Sequence, residues 1–127
     1  MLAAMNPADQ ANRSARKVLN QDGLLLSPFS LLEVNLLGRA GKLEIKNFSD
    51  FSNYLSALLE MSSIRILSDR PEYHSEAHRL EHRFRLTFFD SLHAAVSKVQ
   101  KEIIVSYDKA YDRLGKEGVR RLDPSDI

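Results

Sequence analysis

The sequence predicts an α/β fold, a three-layer sandwich with a mainly parallel central sheet flanked by helices. Segments with helical apolar spacing alternate with short runs of strand formers. Two of those runs, Leu24-Leu-Leu and Ile103-Ile-Val, are apolar throughout, as strands covered on both faces are. No repeat, low-complexity stretch or linker breaks the pattern, and 127 residues suffice for one core, so residues 1–127 read as a single domain.

The elements come in order. Residues 7–20 read as a helix with Ala11, Ala15, Val18 and Leu19 on one face, ended by Gly23. Residues 24–27 are a short buried strand. Ser27 as cap and Pro28 in the first turn then open a helix to about Gly38, apolar nearly all round and therefore expected to be well buried. Residues 38–46 form a loop carrying Arg39, Lys42 and Lys46. Asn47 starts a helix with the stripe Phe48, Phe51, Leu55, Leu58 and Leu59, and residues 64–67 alternate like a strand. Residues 71–84 form a helix turning Tyr73, Ala77, Leu80 and Phe84 inward. Residues 88–100 form the next, through Leu92, Ala95, Val96 and Val99. Residues 103–107 read as a central parallel strand, 109–114 as a short helix and 119–122 as a last strand at the edge.

Composition excludes several classes. Hydrophobic residues at 43% and charged residues at 28% match an ordinary soluble globular protein. The absence of cysteine rules out disulfides, thiolate zinc sites and a cysteine nucleophile, and fits a reducing cytoplasm. No apolar run approaches the roughly 20 residues that span a membrane, and residues 1–5 are too short for the apolar core of a signal peptide. Eighteen basic against seventeen acidic residues leave +1, so net charge does not announce a nucleic-acid binder, although local patches can serve as one. There is no phosphate-loop motif, dinucleotide fingerprint or Gly-x-Ser-x-Gly elbow.

The informative feature is carboxylates placed among apolar residues. Glu33 lies among Phe29, Leu32, Leu36 and Leu37, and Asp90 between Phe88, Phe89 and Leu92 in the first turn of its helix. Asp108 comes just past the carboxyl end of a strand, and Asp112 lies one helical turn later on the same face. Carboxylates on core-facing surfaces are costly unless a cation or donors meet them, and ligands in open α/β sheets gather outside the carboxyl ends of the strands. Converging acids of this kind suit Mg²⁺ or Mn²⁺. Each acid also has a structural reading: Asp90 as a first-turn charge or cap, Asp108 as cap of the next helix, Asp112 as a solvated partner of Lys116. The residues alone leave both readings open. Ser27 and Ser106 are caps or orient carboxylates from behind. His74, His78 and His82 recur at i, i+4 and i+8, a spacing able to chelate a transition metal, but their charged neighbours describe a solvated face. His93, three residues after Asp90, reads as a satisfied core histidine.

Three phrases, Ser27-Pro-Phe-Ser-Leu-Leu-Glu33, Leu86-Thr-Phe-Phe-Asp90-Ser-Leu-His-Ala-Ala95 and Ile104-Val-Ser-Tyr-Asp108-Lys-Ala-Tyr-Asp112, together resemble the PIN domain. They look closest to the compact prokaryotic form of VapC-type toxins. The resemblance covers nearly the whole chain and is strongest from residue 84 to 124. It implies a metal-dependent ribonuclease that hydrolyses phosphodiesters in single-stranded or looped RNA, using Mg or Mn. Glu33, Asp90 and Asp108 would be catalytic and metal-ligating, with Asp112 as accessory ligand. It further implies a homodimer held inactive by a small antitoxin protein. Arg39, Lys42 and Lys109 are candidates to meet the RNA backbone by position alone.

One departure stands out. The family begins with a strand carrying Asp-Thr/Ser-x-Val-Leu, whereas residues 1–9 look like the segment that normally comes just after that strand. The expectation is that the strand and its Asp are missing from this chain, through a start assigned too far downstream. Asp9 falls in the wrong place to replace it, and this chain alone is expected to bind metal weakly and to cleave RNA little or not at all. The competing reading is a catalytically inactive PIN-like domain acting as a protein-interaction or dimerisation module, through the apolar second helix and the helix carrying Phe48–Leu59. An unrelated α/β domain using the histidine ladder is a third.

Overall fold

A computed structural model describes residues 12–127; residues 7–11 of the expected first helix, and Asp9, lie outside the described residues. The elements are α1 (Asn12–Leu19), β1 (Leu25–Leu26), α2 (Ser30–Arg39), α3 (Phe48–Met61), β2 (Arg65–Ile66), α4 (Pro71–Phe84), α5 (Phe88–Gln100), β3 (Ile104–Val105), a 3₁₀ helix (Lys109–Glu117), β4 (Arg121–Leu122) and a closing 3₁₀ turn (Pro124–Asp126). The fold class is α/β with parallel strands, as the alternation predicts. Among the described residues the strands pair as two two-stranded parallel sheets, β1 with β2 and β3 with β4. The chain forms two compact units, Leu19–Ser68 and, around it in sequence, residues 12–18 with Asp69–Ile127.

In the Leu19–Ser68 unit, β1 and β2 pair Leu25 with Arg65 and Leu26 with Ile66. The next helix begins later than the Ser27-Pro28 signal implies. Ser27 closes a turn first, its Oγ accepting the Phe29 N–H at 3.3 Å and its carbonyl the Ser30 N–H at 3.1 Å. Phe29 is then the N-cap, with no side-chain hydrogen bond. The expected burial of α2 is corrected as well: only Val34 of the helix is buried, while Leu32 and Leu36 are 52% and 46% exposed. A helix apolar on all sides needs cover on all sides, and within this unit a two-stranded sheet and one further helix supply less than that. The α3 start is as expected, with the Asn47 side chain accepting the Asp50 N–H at 3.1 Å. Its stripe is buried at Leu55 and half-buried at Phe51, Leu58 and Leu59.

The other unit is built on α4 and α5, which pack against each other along their length. Pro71 opens α4, pre-set to helical φ and lacking only an N–H that the first turn cannot use. Tyr73, Ala77 and Leu80 are buried on it, and Phe84 half-buried. Thr87 caps α5 by accepting the Asp90 N–H at 3.3 Å. Ala94 and Ala95 are fully buried, and side chains this small let another element approach closely. Across the pair, Gln100 Nε2 donates to the Tyr73 hydroxyl at 2.5 Å. Leaving α5, Lys101 adopts a left-handed φ of 56°, and Glu102 N–H returns to Ser97 O at 3.0 Å. A Cβ at that φ is strained. Lys101→Gly is therefore expected to raise stability by about 0.5–1 kcal/mol, read from thermal or urea unfolding.

Three expectations near the C-terminus change. The strand expected over 103–107 pairs regularly only at Ile104–Val105, where it is half-buried and bonds to β4. The short helix expected over 109–114 is a 3₁₀ helix reaching Glu117, closed by Gly118 at φ 85°. The last strand shortens to Arg121–Leu122, with Val119 fully buried just before it.

An ion cluster joins three elements of this unit. Glu76 of α4 meets Arg79 Nη2 and, from α5, Lys98 Nζ, both at 2.7 Å. Glu117 at the end of the 3₁₀ helix lies 2.9 Å from Arg79 Nη2 and 3.6 Å from Lys98 Nζ. Its Oε1 is buried in an ion pair without a well-directed hydrogen bond. The Arg79 hydrogen bond, reinforced by Lys98, holds the Glu76 carboxyl down at about 2. A depressed carboxyl pKa stabilises the fold above the unfolded value, here 4.5, and that contribution fades as pH falls from 4.5 towards 2. With solvent screening, Glu76→Gln is expected to cost roughly 1 kcal/mol at pH 7. The gap between wild type and variant closes across that acid window in urea unfolding measured at several pH values.

Candidate active site

Two of the sequence-predicted acids of the Asp69–Ile127 unit, Asp90 and Asp108, stand at the starts of two helices that pack against each other. Helix α5 packs on β3 and the 3₁₀ helix, and its first turn, with Asp90, lies where β3 has ended and Asp108 begins the next element. The link is Tyr111, 4% exposed, whose hydroxyl donates to Asp90 Oδ1 at 3.2 Å. Asp108 is the N-cap of the 3₁₀ helix: its Oδ1 accepts the Ala110 N–H at 2.8 Å, and its own N–H donates to Ser106 Oγ at 3.0 Å. Ser106 thus holds the Asp108 backbone in place. Among the described residues, Asp90 Oδ2 and Asp108 Oδ2 accept no hydrogen bond.

Asp112 points elsewhere. Its carboxylate forms a two-pronged pair with Arg121, Nε to Oδ1 at 2.8 Å and Nη2 to Oδ2 at 3.2 Å. The guanidinium depresses the Asp112 pKa. The expectation that Asp112 shares a face with Asp108, and the alternative pairing with Lys116, both assumed an α-helix. A 3₁₀ helix has about three residues per turn, which eclipses i with i+3. That brings Tyr111 rather than Asp112 into line with Asp108 and rotates Asp112 towards β4. Tyr111 and Arg121 are the residues that sequence reading missed. The phrase Ser-x-Asp-x-x-Tyr contained the tyrosine, but nothing in the spacing announced Arg121, which lies nine residues beyond Asp112.

Glu33 belongs to the Leu19–Ser68 unit, half-buried in the first turn of α2, past the carboxyl end of β1. Ser27 stands at the start of the turn between them. Arg39 donates to Asn35 Oδ1 at 3.0 Å and Lys42 is exposed; in the other unit Lys109 is exposed. The histidine ladder is a solvated face as read: Asp69 holds His74 Nε2 at 2.9 Å, and the His78 and His82 rings stack with centroids 6.4 Å apart. His93 stacks on Phe89 at 6.3 Å. Among the described residues no three His, Asp or Glu gather closely enough to hold a metal ion.

Helices after short parallel strands, with acids at the carboxyl ends, define an α/β domain of the kind that carries its site at the strand ends. A family model of the PIN domain matches residues 1–117, and the chain belongs to that family. No curated protein matches the chain. PIN domains are generally nucleases that act on RNA and usually use divalent metals. The chemistry here fits such an ion in kind: the free oxygens of Asp90 and Asp108 are the hard anionic donors that Mg²⁺ and Mn²⁺ take, and further donors have to complete the set. No helix among the described residues is long and apolar enough to cross a membrane.

Proposed function

We propose that the protein is a metal-dependent endoribonuclease of the PIN family, hydrolysing phosphodiesters in RNA. The observation that carries this reading is the pair Asp90 and Asp108. Asp108 begins the 3₁₀ helix whose Tyr111 donates to Asp90 in the first turn of α5, and among the described residues each carboxylate keeps an oxygen that accepts no hydrogen bond. These two acids would hold Mg or Mn, and the resemblance alone assigns Glu33 a role in the same reaction. When bound, the ion supplies a more acidic attacking water and neutralises charge on the reacting phosphate. The chain's own work is positional. Thr87 fixes the first turn of α5, Tyr111 orients Asp90, and Ser106 and Ala110 fix Asp108. Lys109, exposed beside Asp108, is placed to meet backbone phosphate. The finer proposal rests on the family resemblance: the toxin of a toxin–antitoxin pair, homodimeric, cytoplasmic and restrained by a small protein antitoxin.

A second reading has its own support. Leu32, Leu36, Tyr54 and Met61 of the Leu19–Ser68 unit are exposed, and apolar surface of that kind favours an inactive PIN-like interaction or dimerisation module. Cleavage of a mixed-sequence RNA with Mn²⁺, with chelator, and with Asp90→Asn and Asp108→Asn separates the two. Metal-dependent cleavage lost in both variants supports the enzyme. Intact fold with no cleavage under any condition overturns it for the module.

A further inference from the structure

We infer that Arg121, which touches neither Asp90 nor Asp108, is a positioning residue that sets the Asp108 carboxylate for its role; this rests on the reading of Asp108 given above. The side chain of Arg121 is 11% exposed, and its donors go to three places. Nε and Nη2 grip Asp112 within the 3₁₀ helix. Nη1 donates to the Ser106 carbonyl at 2.9 Å and lies 3.4 Å from Asp123 Oδ2. The peptide of Ser106 is thereby held on both sides by β4, because its N–H donates to the neighbouring Leu122 carbonyl at 3.1 Å. Ser106 Oγ in turn accepts the Asp108 N–H at 3.0 Å. Arg121 thus ties down the segment before Asp108, through Ser106, and the helix after it, through Asp112. With β3 only two residues long, the ladder itself ends at Ser106, and the Asp108 approach is fixed by this guanidinium and its contacts.

The geometry asks for arginine in particular. A planar fork grips a carboxylate with two donors while a third reaches a carbonyl; a lysine ammonium carries the same charge as a point and cannot span these acceptors together. Charge and position also act in opposite directions. Removing a cation near two carboxylates strengthens a divalent ion's attraction by Coulomb's law, whereas loosening a ligand weakens binding.

The test is Mn²⁺ titration by calorimetry on the full chain, comparing wild type, Asp108→Asn, Arg121→Gln and Arg121→Lys, with amide hydrogen exchange on each variant. Arg121→Gln and Arg121→Lys are both expected to weaken Mn²⁺ binding about tenfold, the lower end of the contribution of supporting residues behind metal ligands. Faster exchange is expected at the Asp108 and Ala110 amides, with α4 and α5 protected as before. Unchanged or tighter binding in Arg121→Lys, alongside lost binding in Asp108→Asn, overturns the role of Arg121 and leaves the proposed function standing. Binding in Asp108→Asn equal to wild type, or no binding in wild type, overturns the reading of Asp108 and the inference with it. Exchange that quickens across α4 and α5 as much as at Asp108 overturns positioning in favour of general stability.

Discussion

Asp90→Asn and Asp108→Asn are each expected to lower metal-dependent RNA cleavage by at least about 10²-fold, or about 2.7 kcal/mol of transition-state stabilisation, with almost no change in thermal stability. Both substitutions are isosteric, and both spare the hydrogen bonds seen here. An asparagine carbonyl at 90 still accepts the Tyr111 hydroxyl that now donates to Asp90 Oδ1. Asparagine at 108 is as good an N-cap as aspartate, so the Ala110 N–H keeps its acceptor. The loss is one negative charge, on the atoms left over by the fold. Asp112→Asn is expected to cost less, because the Asp112 charge is already matched by Arg121. Glu33→Gln tests the resemblance directly, since a loss like that of Asp90→Asn assigns the acid of the Leu19–Ser68 unit to the same reaction. Cleavage rates on one RNA, with circular dichroism to verify folding, measure all four. An Asp90→Asn protein that cleaves at the wild-type rate removes the site from these two helix starts.

How far these residues were legible in the sequence depended on the length over which a pattern repeats. Helices α4 and α5 were read to the residue because 14 and 13 residues sustain an apolar stripe. Asp90 and Asp108 stood out because acids are rare among Phe88, Phe89 and Leu92 or after Ile103-Ile-Val. Their surroundings were not legible. At nine residues the Lys109–Glu117 segment is short enough to be drawn as an α-helix, and the change from about 100° to about 120° per residue exchanges Asp112 for Tyr111 beneath Asp108. The Arg121–Asp112 pair is a tertiary fact made by strand pairing, with no local signature. The burial of α2 failed for a related reason: an apolar helix states what it tolerates, and its surroundings decide what covers it. Glu33 kept its place past β1, in the first turn of α2.

Leu80→Ala is the second large effect expected, at about 2–5 kcal/mol of stability, against a typical total of about 5–15 kcal/mol. Leu80 is fully buried on α4, on the stripe with Tyr73 and Ala77, where α4 packs on α5. Truncation there removes transfer energy and leaves a void that two well-packed helices cannot close. The matched variant is Leu32→Ala. Leu32 is the same residue type on a far more apolar helix, but it is 52% exposed, so its loss is expected below about 1 kcal/mol. Urea midpoints of the two variants measure the difference, and equal losses would mean that α2 is covered in solution. The comparison also separates stability from chemistry. Helix α5 carries Asp90 in its first turn and α4 is its support, so Leu80→Ala is expected to lose cleavage only as it unfolds. Below its melting transition it keeps near wild-type activity, where Asp90→Asn, fully folded, does not.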